Sequence, residues 1–269
     1  MAQVNRSDIA IAWAAKELHA TGVQPDNMTW HSLVKMHVNR LDFAGAQAVM
    51  ERMRAAGVQP DKMTWTTMFK AHVKSSDVVA AHAVIDQMRG AGMEPDKGMW
   101  NTLLKAHAKL SDVSGARAVM EEMHAAGVQP DMSTWTTLLQ AHVGLSDVAG
   151  AREVMAEMRA LGVRAKIVTW NTLLQAHVKV SDVAGARAVM QEMRAAGVQP
   201  DEVTWKLLVN AHLKSSDVAG ARAVMEEMRA AGLTSTITTW ATLLKAHVKS
   251  SDVSGAGCDG GNACGARAP

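Results

Sequence analysis

The sequence has no tyrosine, two phenylalanines and two cysteines. Both cysteines, Cys258 and Cys264, stand in a glycine-rich tail, so a disulfide framework is excluded as the basis of the fold. No second cysteine pair at zinc spacing and no nearby histidine accompanies them, which argues against a zinc site. No apolar run approaches the length of a membrane span, and no membrane partner is expected. The opening MAQVNRSDIAIAWAAK has neither a secretory pattern nor a long arginine- and serine-rich transit pattern. With 28 basic and 26 acidic residues the formal charge is +2, so a globally basic nucleic-acid binder is not indicated. No phosphate loop and no nucleophile–base constellation occurs; no catalytic residue, cofactor or enzyme activity is expected.

What the chain does have is a period. Trp30, Trp65, Trp100, Trp135, Trp170, Trp205 and Trp240 are each 35 residues apart. The flanking sequence recurs at the same step, as in WNTLLKAHAKLSDVSGARAVMEEMHAAGVQPD from Trp100. A period of this length specifies a stacked array whose core is distributed along the stack.

One unit can be read physically. Thr169 is placed to cap a helix opening at Trp170. Trp170, Leu173, Leu174, His177 and Val178 form an apolar stripe at helical spacing. After the turn Lys179-Val180-Ser181-Asp182, Asp182 is an N-cap for a second helix, which buries Ala186, Val189, Met190 and Met193. Gly197 takes the left-handed C-terminal position and Pro200 follows as a stop. Each unit is therefore helix A, turn, helix B and linker. The aspartate recurs at Asp42, Asp77, Asp112, Asp147, Asp182, Asp217 and Asp252. The glycine recurs from Gly57 to Gly232, and five of the six prolines fall in linkers.

The organisation expected is a lone helix B in residues 1–26 and six repeats in 27–236. Helix A of a seventh repeat with the start of an incomplete helix B follows in 237–254, and a disordered glycine-rich tail in 255–269.

Acidic residues are missing from one place in particular. The seven windows running from each tryptophan to ten residues beyond hold 11 lysines or arginines and no aspartate or glutamate. Random placement of the acids would put about seven there. With tryptophan at zero, the next residue lies at about 100 degrees, and those five and nine on at about 140 and 180 degrees. These positions share a face away from the buried stripe. Stacked A helices would then present a cationic wall, as a phosphate backbone requires. Ordinary solvated faces mix both signs.

Seven histidines recur from His37 to His247, and a metal ladder is one reading. They sit on the apolar stripe, and packed helices stand about 8–10 Å apart, too far for two imidazoles to share an ion easily. They are expected to be core histidines hydrogen-bonded to the next repeat. No metal site is expected.

VTWNTLLQAHVKVSDVAGARAVMQEMRAAGVQPD closely resembles the pentatricopeptide repeat of the plain 35-residue class, and the resemblance covers nearly the whole chain. Tryptophan stands where that family usually has tyrosine. The resemblance implies an all-α, right-handed α-solenoid of helix-turn-helix units that binds single-stranded RNA, one base per repeat, in a mitochondrion or plastid. It also leaves a second reading, a scaffold or structural subunit of an assembly such as an organellar ribosome, with protein partners.

In the family, base choice is set by the residue after the aromatic and the last residue of the repeat. Carried over, the pairs are His31 with Asp61, outside the standard set; Thr66 with Asp96, favouring guanine; and Asn101 with Asp131, favouring uracil. Thr136 with Lys166 falls outside it, Asn171 with Asp201 favours uracil, and Lys206 with Thr236 falls outside it. Only three of six positions are readable. The residue two before the aromatic packs on the base in the family: Met28, Met63, Val168 and Val203 suit that role, whereas Gly98, Ser133 and Thr238 are poorer platforms. Lys74, Lys109, Lys179, Lys214 and Lys249 are the phosphate contacts by the same resemblance, a series that Asn39 and Gly144 interrupt. The terminal aspartates can also cap the next helix, and the two roles are compatible.

Overall fold

The computed structural model describes residues 25–233. The expected half-repeat before them lies almost wholly outside the described residues. So do the seventh helix A, the tail, Thr236, Thr238 and Lys249. Among the described residues there are twelve α-helices and no strand. The A helices are α1 (Asn27–Asn39), α3 (Lys62–Lys74), α5 (Lys97–Lys109), α7 (Met132–Gly144), α9 (Ile167–Lys179) and α11 (Glu202–Lys214). The B helices are α2 (Phe43–Ala55), α4 (Val78–Gly90), α6 (Val113–Ala125), α8 (Val148–Ala160), α10 (Val183–Ala195) and α12 (Val218–Ala230).

The A helices begin three residues earlier than the tryptophan. Asp26, Asp61 and Asp201 are N-caps, each accepting from the amide three residues on at 2.8 Å. Asp131 caps α7 in the same way at 3.1 Å. In α7 and α11 the threonine before the tryptophan closes a capping box, its hydroxyl accepting from the aspartate amide. Thr169 is thus not a cap: it lies inside α9, fully buried. At the aspartate-capped helices the carboxylate accepts charge-assisted bonds at the positive helix end; in α9 Lys166 holds the N-cap position without a side-chain bond, and its carbonyl accepts from the Thr169 amide at 2.9 Å.

The turn from A to B shares one residue between two helix ends. The Asp182 amide donates to the His177 carbonyl at 3.0 Å, which closes the end of α9, while the Asp182 carboxylate accepts from the Gly185 amide at 2.9 Å, which opens α10. The residue before the aspartate is left-handed in every repeat, as at Ser181 (φ 58°), although it is never glycine. Each B helix then ends on a glycine at positive φ, Gly197 at 77° among them.

Two compact units divide the described residues: 25–107 with 114–130, and 108–113 with 131–233. In the first, α1 packs on α2 and on α3, and α3 on α4. In the second, α7, α9 and α11 pack side by side, each also against its own B helix. Trp65, Trp100, Trp170 and Trp205 are fully buried, with Met53, Met88, Met193 and Met228 from the B helices. Methionine fills the irregular gaps between helices that meet at an angle.

Candidate nucleic-acid interface

Burial against the B helices fixes which side of each A helix faces solvent. The tryptophan stripe is inside, so the residues at about 140 to 180 degrees from it are outside. Met28, Met63, Val168 and Val203 are among the most exposed large apolar side chains, at 64%, 55%, 59% and 53%. Lys74, Lys109, Lys179 and Lys214 are exposed on the same side, as are Lys35, Lys70 and Lys105. From the apolar residue to the distal lysine is eleven residues, a ridge about 16 Å long. In the second unit the ridges of α7, α9 and α11 lie next to one another, because those helices pack side by side.

The distal lysines differ. Lys74, Lys109 and Lys214 have no hydrogen bond or ion pair among the described residues. Lys179 donates to the Gly144 carbonyl at 3.3 Å, across the interruption in the lysine series and onto the negative end of α7. Acidic side chains are drawn to the other layer. Glu192 and Glu227 on B helices pair with Arg152 and Arg187 of the preceding B helix at 3.0 and 3.2 Å, and Glu122 bonds His82 at 2.9 Å.

The proposed base-selecting residues lie at the upper edge of each ridge. Asn171 and Asp201 are brought together: the Asn171 amide donates to Asp201 Oδ1 at 3.3 Å, and its carbonyl accepts from the Thr204 hydroxyl at 2.7 Å. One amide hydrogen and one carbonyl lone pair of Asn171 are left over. The Thr66 hydroxyl donates to its own helix, to the Lys62 carbonyl at 2.7 Å. Asp96 uses one oxygen to cap α5 through the Met99 amide at 2.9 Å and the other to bind Lys62 at 2.9 Å. His31 is buried, at 9% exposure, while its partner Asp61 is half-buried. Asn101 and Asp131 are both half-buried.

Asp61, Asp96 and Asp201 are held toward the anionic form. The Lys62 ammonium and the Met99 amide hold Asp96 below the usual carboxylate range. Burial pushes Asp61 and Asp201 up, but the hydroxyl and amide of Thr64 or Thr204 outweigh it, with His31 or Asn171 adding to the effect. They therefore present acceptors only.

The histidines are inside, as the stripe requires, but their partner is not in the next repeat. His37, His142, His177 and His212 place Nδ1 2.7 to 2.8 Å from the capping aspartate of their own repeat. The spacing of five residues in the sequence held that signal. No group of three metal-ligating side chains occurs among the described residues.

The profile described as "Pentacotripeptide-repeat region of PRORP" matches residues 6–114 and 78–187, and together these exceed half the chain. Profiles for the PPR repeat match residues 165–214 and 203–233. The chain is a pentatricopeptide repeat protein. No curated protein matches it significantly. Among solved structures, PPR10 from maize superimposes with a TM-score of 0.52 at 21% identity, over 90% of this chain and 44% of PPR10. PPR10 in complex with an 18-nt psaJ RNA element gives 0.50 at 19% identity, over 95% of this chain and 42% of that one. The PPR domain of Arabidopsis thaliana protein-only RNase P 1, in complex with tRNA, gives 0.54 at 18% identity, over 68% of this chain and 96% of that domain. This pentatricopeptide repeat protein thus shares the helix-turn-helix fold of those proteins and spans less than half the length of PPR10.

Proposed function

We propose that this chain is a non-catalytic binder of single-stranded RNA, acting in organellar transcript protection, processing or translation. The observation that carries the reading is the exposed ridge of the A helices, which bears lysines in α1, α3, α5, α9 and α11 but none in α7, and, in four repeats, a solvent-exposed methionine or valine. Lysines neutralise phosphates, the apolar ledge packs on a base face, and the residues at the helix start contact the base edge. Asn171 and Asp201, a pair of this kind, are in mutual contact. The neighbours solved with RNA support the reading by fold. Localisation to a mitochondrion or plastid follows from the family resemblance alone.

The test is equilibrium binding to a panel of random single-stranded RNA oligonucleotides as a function of salt. The expected result is a preference for guanine- and uracil-containing strands, with log K falling steeply against log salt. Replacing Lys74, Lys109 and Lys214 by alanine should lower that slope by about two, given roughly 0.7 per phosphate on a single strand. Asn171→Ser with Asp201→Asn should move one position from uracil toward adenine.

The second reading, a scaffold within a larger assembly, is favoured by exposed Leu110, Leu145 and Val180 in successive A-to-B turns. Failure of every RNA to bind, with a protein co-purifying instead, would replace the first reading by the second.

A further inference from the structure

The linker between α8 and α9 breaks the pattern of five others, as the sequence Thr-Ser-Thr at 234–236 also does. Residues 24–26, 59–61, 94–96, 129–131 and 199–201 read Gln-Pro-Asp or Glu-Pro-Asp; residues 164–166 read Arg-Ala-Lys. Where those five linkers place a carboxylate over the helix start, Lys166 makes no capping hydrogen bond to α9. The positive end of that helix therefore faces further positive charge.

A cavity of about 980 Å³ opens at this place. Its lining includes Met158, Ile167 and Trp170 and three cations, Arg159, Arg164 and Lys166. The three cations are exposed, and no side chain among the described residues neutralises them. Trp170 is 2% exposed, and its indole N–H, like those of Trp30, Trp65 and Trp100, has no acceptor among the described residues. Of the equivalent arginines, Arg54 lies 5.1 Å over Trp65 and Arg194 lies 5.3 Å over Trp205, whereas Arg89 makes no such contact with Trp100. Arg159 makes no such contact with Trp170, and the two share the cavity wall instead.

We propose that this cavity binds a phosphate monoester carried on an apolar or aromatic body of nucleoside size. The phosphate would supply the acceptors that aspartate supplies at the other linkers, taking hydrogen bonds from the first-turn amides of α9 and from Arg164 and Lys166. Three cations match a dianionic phosphate better than a singly charged carboxylate. The apolar wall takes the attached body, and the volume lies within the range of small-molecule sites. The site shares Lys166 with the base-selecting position of the fourth repeat but contains none of the ridge lysines. A free nucleotide and the 5′ end of an RNA strand share this chemistry.

Calorimetric titration with uridine monophosphate, with uridine and with paired 5′-phosphorylated and 5′-hydroxyl oligonucleotides tests it. The informative variant is Arg164→Gln with Lys166→Asp, which rebuilds the cap found at the other linkers and so preserves folding. Uridine monophosphate should bind the wild-type chain at least ten-fold more tightly than uridine does, and at least ten-fold more tightly than it binds the variant. Lys74→Ala with Lys214→Ala should leave that affinity unchanged. A matching gain for the 5′-phosphorylated strand assigns the site to RNA ends; equal binding of the two strands assigns it to free nucleotide. The proposal is overturned by absence of uridine monophosphate binding, by equal affinity of the rebuilt variant, by uridine binding as tightly as its monophosphate, or by loss of binding in the ridge variant.

Discussion

The turns of the second and fifth repeats differ at three positions, Ser75 against Val180, Val79 against Ala184 and Ala80 against Gly185, and end in different structures. In the fifth, His177 Nδ1 lies 2.8 Å from Asp182, beside Gly185. A Cβ on Gly185 would collide with the His177 ring and the Asp182 carboxylate, and Gly45, Gly150 and Gly220 are hemmed in likewise. In the second repeat the same position is Ala80. There Asp77 keeps its bond to the Ala80 amide at 3.0 Å, but His72 stands 3.9 Å from Asp77 and its Nδ1 has no partner. His72 stacks on Phe43 instead, with ring centroids 4.2 Å apart and planes 23° apart. The aspartate can cap helix B in either case, whereas the histidine link requires that the third residue of that helix have no side chain.

The comparison can be broken most severely at the histidine. His177→Ala removes a buried ring and its bond to Asp182, and should cost about 2–4 kcal/mol, read from the midpoint of urea unfolding. Gly185→Ala should convert the fifth turn to the arrangement of the second. The lost hydrogen bond costs about 1–3 kcal/mol and the better helix former returns about 1, so a net loss of roughly 1 kcal/mol is expected. A stabilised Gly185→Ala variant would show that the histidine link contributes less than helix propensity.

Ala80→Gly sharpens the comparison with little change in stability. Burial holds the His72 pKa below its usual value, and Asp77 opposes this only from a distance. The folded chain therefore resists protonation of His72, so this group's contribution is complete above about pH 6.5 and falls away below it. In Ala80→Gly the imidazole should close on Asp77, and its pKa, followed by NMR of the ring, should rise. An unmoved titration would mean that Phe43, not Ala80, holds the ring away.

The smallest effect is acidic. The Gly185 amide, and then His177, hold the Asp182 carboxyl below the usual range; Asp42, Asp147 and Asp217 are held down in the same way. Folded-state carboxyls with lowered values bind fewer protons than unfolded ones. Their stabilisation is present above about pH 4 and is lost as pH falls through the lower folded values. Asp182→Asn should flatten that acid limb slightly, as seen in unfolding midpoints between pH 5 and 2.

The fold was legible because its signals are local and repeated. Tryptophan spacing, the apolar stripe, the aspartate before each B helix and the glycine after it all lie within one unit, and each has a direct backbone consequence. The start of helix A was misplaced at Thr169 because Lys166 carries no cap signal and a threonine before an apolar run reads as one, whereas the backbone opens the helix three residues before Trp170. Among candidate site residues, the exposure of Met28, Met63, Val168 and Val203 followed from helix phase. The contact between Asn171 and Asp201 did not, since it joins residues thirty apart through Thr204.

The sequence by itself determined the period, the helices, the caps of the B helices and the side on which acids are missing, because hydrogen bonds within a turn and a repeat of 3.6 residues need no distant partner. Only the tertiary structure decided that His72 leaves Asp77 for Phe43, that Lys179 reaches Gly144, and that three cations beside Trp170 share one cavity. Those outcomes depend on the rotation and spacing between successive helices, which a one-dimensional period does not encode.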